Sequence, residues 1–137
     1  MDRLLEEYKG QIKFVYHFVA PHESAFKAAE AALCAGTQGK YWEYHRTVFE
    51  HQIELLMASE VDPLLEKYAR GLDLNFDDFK SCLDSGKMGK IVEKEEELRK
   101  SRGVRFTPTI FIGSKKIEGL KEIEVYREAI EEILKSR

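Results

Sequence analysis

The chain has 137 residues, 43% of them hydrophobic, and 22 basic against 25 acidic side chains give a net charge of -3. That length holds one ordinary domain with a real core, and charges of both signs, interleaved along the helices, exclude the basic stripe that a nucleic-acid partner needs. No apolar run approaches the roughly 18 to 20 residues of a membrane span, and Met1 to Glu7 lacks the apolar segment of a secretory signal, so the chain as written is expected to be soluble and cytoplasmic, with no membrane partner.

Taken in order, Asp2 to Lys9 reads as a short helix with Leu4, Leu5 and Tyr8 on one side and Gly10 to end it. Ile12 to Val19 is β-branched and aromatic and apolar on nearly both faces, which predicts a strand covered by helices on both sides, closed by Ala20-Pro21. Ser24 is the expected N-cap of an alanine-rich helix over Ala25 to Ala35, with Phe26, Ala29 and Leu33 as its face and Gly36 as its stop. After the Gln38-Gly39-Lys40 turn, Trp42, His45, Phe49, Ile53 and Leu56 recur at helical spacing and are expected in the core.

Asp62-Pro63 reads as N-cap and first residue of a helix to Arg70, and Gly71 as its terminator. Asn75 starts the next helix, with Phe76, Phe79, Cys82 and Leu83 inward and Ser85-Gly86 at its end. Lys87 to Arg102 is dense in charge and should form a mostly solvated helix. Phe106 to Ile112 reads as a strand with a proline at its entrance. Gly113-Ser114 and Lys115 to Glu118 make the turn and second strand of a hairpin. A last helix over Glu122 to Lys135 presents Ile123, Tyr126, Ile130, Ile133 and Leu134 to the core.

Two cysteines, Cys34 and Cys82, lie far apart with no CxxC, so neither a zinc site nor a local dithiol can be built from them. His17, His22, His45 and His51 include no pair at the four-residue spacing of a helical metal site, and each reads as a core or surface histidine. No metal and no cofactor is expected.

In this order the sequence resembles the DsbA-like thioredoxin-fold family of thiol-disulfide oxidoreductases. Phe14-Val15-Tyr16 and Pro21-His22 resemble that family's second strand and the turn after it. Ala28 to Gly36, Gln38-Gly39-Lys40 and Trp42-Glu43-Tyr44-His45 resemble its inserted helical domain, which Tyr68-Ala69, Gly71-Leu72-Asp73, Phe79, Cys82-Leu83 and Ser85-Gly86-Lys87 continue. Gly103-Val104 with Thr107-Pro108-Thr109 resembles its cis-proline loop.

The resemblance implies an α/β thioredoxin-like sheet, one domain over residues 1 to 137, with a helical insertion over 22 to 102. It implies a cis Thr107-Pro108 bond and a loop at which Thr107 and Pro108 hold an extended protein or peptide substrate. It also allows a structural or regulatory disulfide between Cys34 and Cys82, the other reading being two buried thiols packed as small hydrophobes. One departure matters: the family's first strand and the CxxC after it find no counterpart here, so the chain reads as N-terminally truncated and inactive in dithiol exchange. The missing strand would be central, and its slot is expected to be filled by homo-oligomerisation or strand exchange. The other readings are a redox-inactive thioredoxin-like domain that binds peptide or a partner through the same loop, and a relative of the kappa-class glutathione transferases. The compartment stays open, since the family is often extracytoplasmic.

Overall fold

A computed structural model describes residues 1–137, which form two compact units, Met1–His17 with Arg99–Arg137, and Phe18–Leu98. Eight helices and one hairpin make up the regular structure: α1 (Asp2–Glu7), α2 (Glu23–Gly36), α3 (Tyr41–Glu50), α4 (Gln52–Met57), α5 (Asp62–Arg70), α6 (Phe76–Ser85), α7 (Gly89–Ser101), β1 (Thr109–Ile112), β2 (Lys115–Glu118) and α8 (Ile123–Lys135). Helix α7 is shared between the units.

The unit Phe18–Leu98 is helical and is built on α2, against which α3, α5 and α6 pack. Runs of alanine let neighbouring backbones approach α2 from several directions, and Ala28, Ala29, Ala31, Ala32, Cys34 and Ala35 are all buried. Its N-cap is His22, not Ser24: the ring Nδ1 accepts the Ala25 N–H at 3.2 Å, and the Ser24 hydroxyl lies 2.8 Å from the same nitrogen. The helix therefore begins two residues earlier than its alanines suggest, at Glu23. Phe26 and Leu33 are half-buried, and the fully buried positions lie around them.

Helix α3 corrects the expected orientation. Trp42, Phe49, Ile53 and Leu56 are exposed, and the inward residues are Tyr44, fully buried, and Leu55 of α4, with Tyr41 and Val48 packed against the same cluster. The cause is polar as well as apolar: the Tyr44 hydroxyl donates to the Leu65 carbonyl at 2.9 Å, and its ring meets Phe79 at 5.5 Å between centroids. A buried phenol needs such an acceptor. Burial is also what pushes the Tyr44 pKa far up.

The remaining joints are local. Pro63 sits in the first turn of α5, which ends at Gly71, and Asn75 caps α6 by accepting the Asp78 N–H at 3.0 Å. Gln38 clamps that entry, receiving the Asn75 N–H on Oε1 at 2.7 Å and donating from Nε2 to the Asn75 carbonyl at 3.0 Å. Glu54 accepts from the Tyr68 hydroxyl at 3.0 Å and from Lys67 at 3.3 Å. Burial and the Glu54 carboxylate push the Tyr68 pKa up to about 12. Glu30 is the one charged residue buried with the core. Burial raises its pKa, the Lys27 ammonium and the Gly89 backbone oppose that shift, and Asp62 and Glu93 add to it.

The other unit is a two-stranded antiparallel sheet with α8 and α1. The register pairs Thr109 with Glu118 and Ile112 with Lys115 around the Gly113-Ser114 turn. Ile117, Tyr126, Ala129 and Ile130 form its core with Leu4 of α1 and Tyr8 just after it. Arg127 fixes α1 by donating from Nε to Glu7 Oε1 at 2.7 Å and from Nη2 to Oε2 at 2.9 Å, a bidentate pair. The Tyr8 hydroxyl donates to Glu131 at 3.3 Å.

Ile12 to Val19 does not form the predicted strand. The sheet has two strands only, β1 and β2. Ile12, Phe14 and Tyr16 are half-buried while Lys13, Val15 and His17 are exposed, so the two-residue period of a strand is present without a ladder. Propensity sets the alternation, but a strand exists only when a neighbour accepts its N–H groups, and no other segment of the chain does so.

Two outcomes test this packing. Gly113 has φ +59°, and a Cβ there would stand 2.5 Å from Ile133 Cδ1, so Gly113→Ala is expected to destabilise the chain by about 1 to 3 kcal/mol, read as a shift in the urea midpoint. For Glu30 the raised folded-state pKa means that the folded chain holds the proton more tightly than the unfolded one. Its contribution is greatest below the unfolded carboxyl value and is lost as pH rises toward the folded value. Glu30→Gln should therefore be at least as stable as the parent near neutral pH, with the difference vanishing in acid. Urea unfolding followed across pH checks it, and a variant weaker than the parent at every pH would contradict this account.

Candidate functional site

The loop that carries Thr107 and Pro108 is built from both its ends. Helix α7 stops where the Gly103 N–H reaches the Lys100 carbonyl and the Val104 N–H the Arg99 carbonyl, each at 3.0 Å, with Gly103 at φ +61°. This left-handed stop is one glycine adopts at little cost. The Arg99 guanidinium donates to the Val104 carbonyl at 2.9 Å, and Lys116 of β2 donates to the Gly103 carbonyl at 2.8 Å.

On the strand side, the Thr109 hydroxyl donates to the Phe106 carbonyl at 2.6 Å, and the Gly119 N–H donates to the Pro108 carbonyl at 2.8 Å. The Thr107–Pro108 peptide bond is cis. Between these anchors Arg105, Phe106, Thr107 and Pro108 are all exposed, and β1 pairs on one edge only. The result is a held turn with an apolar ring beside it at an open strand edge, which suits it to take an extended backbone. Arg102 lies over the Phe111 ring at 5.6 Å and adds a cation to the same rim. Arg102, Arg105 and Lys116 escaped the sequence reading, although Arg99 to Arg105 is a stretch with cations and no carboxylate.

In the helical unit, Cys34 of α2 and Cys82 of α6 are bonded to each other, with their Cα atoms 5.8 Å apart and no free cysteine left. Both are buried among Ala31, Ala35, Tyr44, Phe79 and Leu83. A bridge in such a setting offers no accessible sulfur to a thiolate and acts as a cross-link. Thr107 and Pro108 belong to one unit and the two cysteines to the other.

The histidines stand apart from one another. His22 caps α2, and His51 donates from Nδ1 to the Thr47 carbonyl at 2.9 Å and lies 5.0 Å from the Tyr68 ring. His45 sits in an aromatic row between Trp42 and Phe49, and burial, then the nearby Arg46 charge, lowers its pKa.

A thioredoxin family model matches residues 1–132, and the chain belongs to the thioredoxin family. The mixed fold of helices and a small hairpin is thioredoxin-like. Disulfide bond formation protein D of Bacillus subtilis (strain 168) is 26% identical over 133 residues, covering 94% of this chain and 60% of that protein. Na(+)/H(+) antiporter NhaA 3 of Salinispora tropica is 33% identical over 109 residues, which is 80% of this chain but 16% of the antiporter. Na(+)/H(+) antiporter NhaA of Herminiimonas arsenicoxydans is 28% identical over 118 residues, 86% of this chain and 18% of that protein. The chain thus spans less than a fifth of these antiporters and three-fifths of the Bacillus protein. No solved structure matches it.

The bridge closes a separation of 48 residues, for which the chain-entropy relation gives a stabilisation of about 4 kcal/mol. Replacing both cysteines by alanine should lower the unfolding free energy by about 2 to 5 kcal/mol. Thiol titration of the denatured, unreduced parent should read zero. Two reactive thiols, or a double variant as stable as the parent, would contradict the cross-link.

Proposed function

We propose that this chain is the polypeptide-binding part of a disulfide oxidoreductase of the DsbA type. Its exposed Phe106 to Pro108 turn and the open edge of β1 hold an extended segment of a protein substrate. The observation that carries the reading is that a thioredoxin-family chain presents this held turn while both of its cysteines are locked in a buried bridge. Similarity to the Bacillus disulfide bond formation protein over nearly the whole chain supports the oxidoreductase side.

Disulfide exchange needs a thiolate to attack one sulfur, a leaving thiolate, and a second thiol to resolve the mixed disulfide. Residues 1–137 supply neither partner, so the redox dithiol of this activity lies outside them. A strand that comes with that dithiol completes the sheet at Ile12 to Tyr16, where the alternation of a strand stands without a ladder. The buried bridge also fits an oxidising compartment, where such bonds persist.

Assays of insulin reduction, and of refolding of a reduced, unfolded substrate, should show the 137-residue chain at background. An unfolded, alkylated polypeptide should nonetheless bind, and Phe106→Asp should weaken that binding about tenfold or more, since it places a charge where the apolar ring stood. Redox activity that survives replacement of both cysteines by alanine would overturn the assignment of the chemistry. Binding indifferent to Phe106 would overturn the assignment of the loop.

A further inference from the structure

Of the six large hydrophobic residues that the helical unit leaves exposed, five lie on α3 and α4. Trp42 is 47% exposed, Phe49 50%, Ile53 70%, Leu56 65% and Met57 82%. At about 100 Å² or more for each such side chain, the patch comes to about 500 to 600 Å², the upper end of what a monomer shows. A standard interface takes about 800 Å² per partner, so this face with its polar rim is large enough for one. The helical bonding runs on across the α3–α4 joint, from the His51 N–H to the Thr47 carbonyl and from the Leu55 N–H to the His51 carbonyl, each at 3.1 Å. The stripe is therefore continuous.

The face is also ordered before anything meets it. Trp42 stands edge-on to His45 with centroids 5.5 Å apart, and His45 lies 4.7 Å from Phe49. Rings already held in a row lose little freedom on association. The carboxylates at its border are engaged inside the chain, Glu43 by Lys40 and Glu54 by Tyr68 and Lys67, so covering the face strands neither of them.

Arg46 and Glu50 remain. Both are exposed on one flank of the stripe, and neither forms an ion pair within the chain. When two identical helices pack antiparallel about a two-fold axis, like flanks face each other. With the axis near Val48, Arg46 of each copy meets Glu50 of the other, and the two Phe49 rings meet close to the axis. A face whose charges complement themselves under two-fold rotation selects its own copy.

We infer that the exposed stripe Trp42 to Met57 is an isologous interface through which two copies of this chain pair, α3 antiparallel to α3. Sedimentation velocity on the 137-residue chain from about 5 to about 200 µM should show a concentration-dependent dimer. Phe49→Glu and Ile53→Glu change exposed positions, so each should give a monomer with the parent's helical circular dichroism. Arg46→Glu and Glu50→Arg should each weaken the dimer about tenfold, and the double exchange should recover most of that loss. A chain that stays monomeric throughout the range overturns the inference. So does a dimer indifferent to all four substitutions, which would place association at the strand edge instead. Recovery in the double exchange is the outcome that a general loss of solubility or folding cannot imitate.

Discussion

Close approach around α2 is the constraint on which the helical unit depends. A helix can be buried on most of its circumference only if its side chains are short, and the alanines at 28, 29, 31, 32 and 35 meet that condition. Everything else is fitted to it: α3, α5 and α6 lie against α2, Cys34 reaches Cys82 because the backbones stand close enough, and Glu30 is carried inside because its neighbours on the helix are. The bulk missing from α2 comes from outside it, from Tyr44, Leu65 and Phe79, each fully buried. Small inside and large around is a close-packed arrangement that tolerates little change of volume on either side.

The hairpin unit solves a different problem with less material. Two short strands cannot sustain themselves in water, and here they are held by Ile117 pressed against Tyr126 and Ile130 of α8, with Leu4 of α1 and Tyr8 just after it closing the cluster. What this support presents is the turn at Phe106 to Pro108, anchored at Gly103, Thr109 and Gly119 and free between. A loop anchored at both ends on a rigid frame keeps its geometry at low entropic cost.

Where the sequence was legible, the signal was local. Asn75 at the start of α6, Gly86 in the left-handed conformation after α6 and the Gly113-Ser114 turn each act within a few residues and were read correctly, whereas α5 starts one residue early, with Val61 rather than Asp62 at its N-cap and Pro63 inside the first turn. The failures are non-local. Helix α3 carries two apolar stripes, Tyr41, Tyr44 and Val48 against Trp42, His45 and Phe49, and periodicity cannot say which is inward. The deciding partner of Tyr44 is the carbonyl of Leu65, 21 residues on. Ile12 to Val19 has the composition of a strand, but a ladder belongs to two segments, and no other segment of residues 1–137 pairs with this one. At the α2 cap, the preference for a hydroxyl pointed to Ser24, whereas the imidazole of His22 reaches the amide two residues nearer the start of the helix. For the loop, family resemblance named Thr107 and Pro108, and the cations around them became visible only once Lys116 and Gly103 were seen to meet across the hairpin mouth.

The Cys34–Cys82 bridge has one more consequence, which concerns covalent continuity. The segment between the two cysteines contains α3, α4, α5 and the exposed Ser59-Glu60 connection, the kind of surface stretch at which proteases cut. A single cut there opens a ring and leaves every residue attached to the same molecule. A nicked chain would gain only the water of the cut bond in mass, would keep, with α2 still tied to α6, much of its shape, and would part into two pieces only after reduction. The damage would stay silent in the oxidised protein and appear when the surrounding thiol chemistry changed.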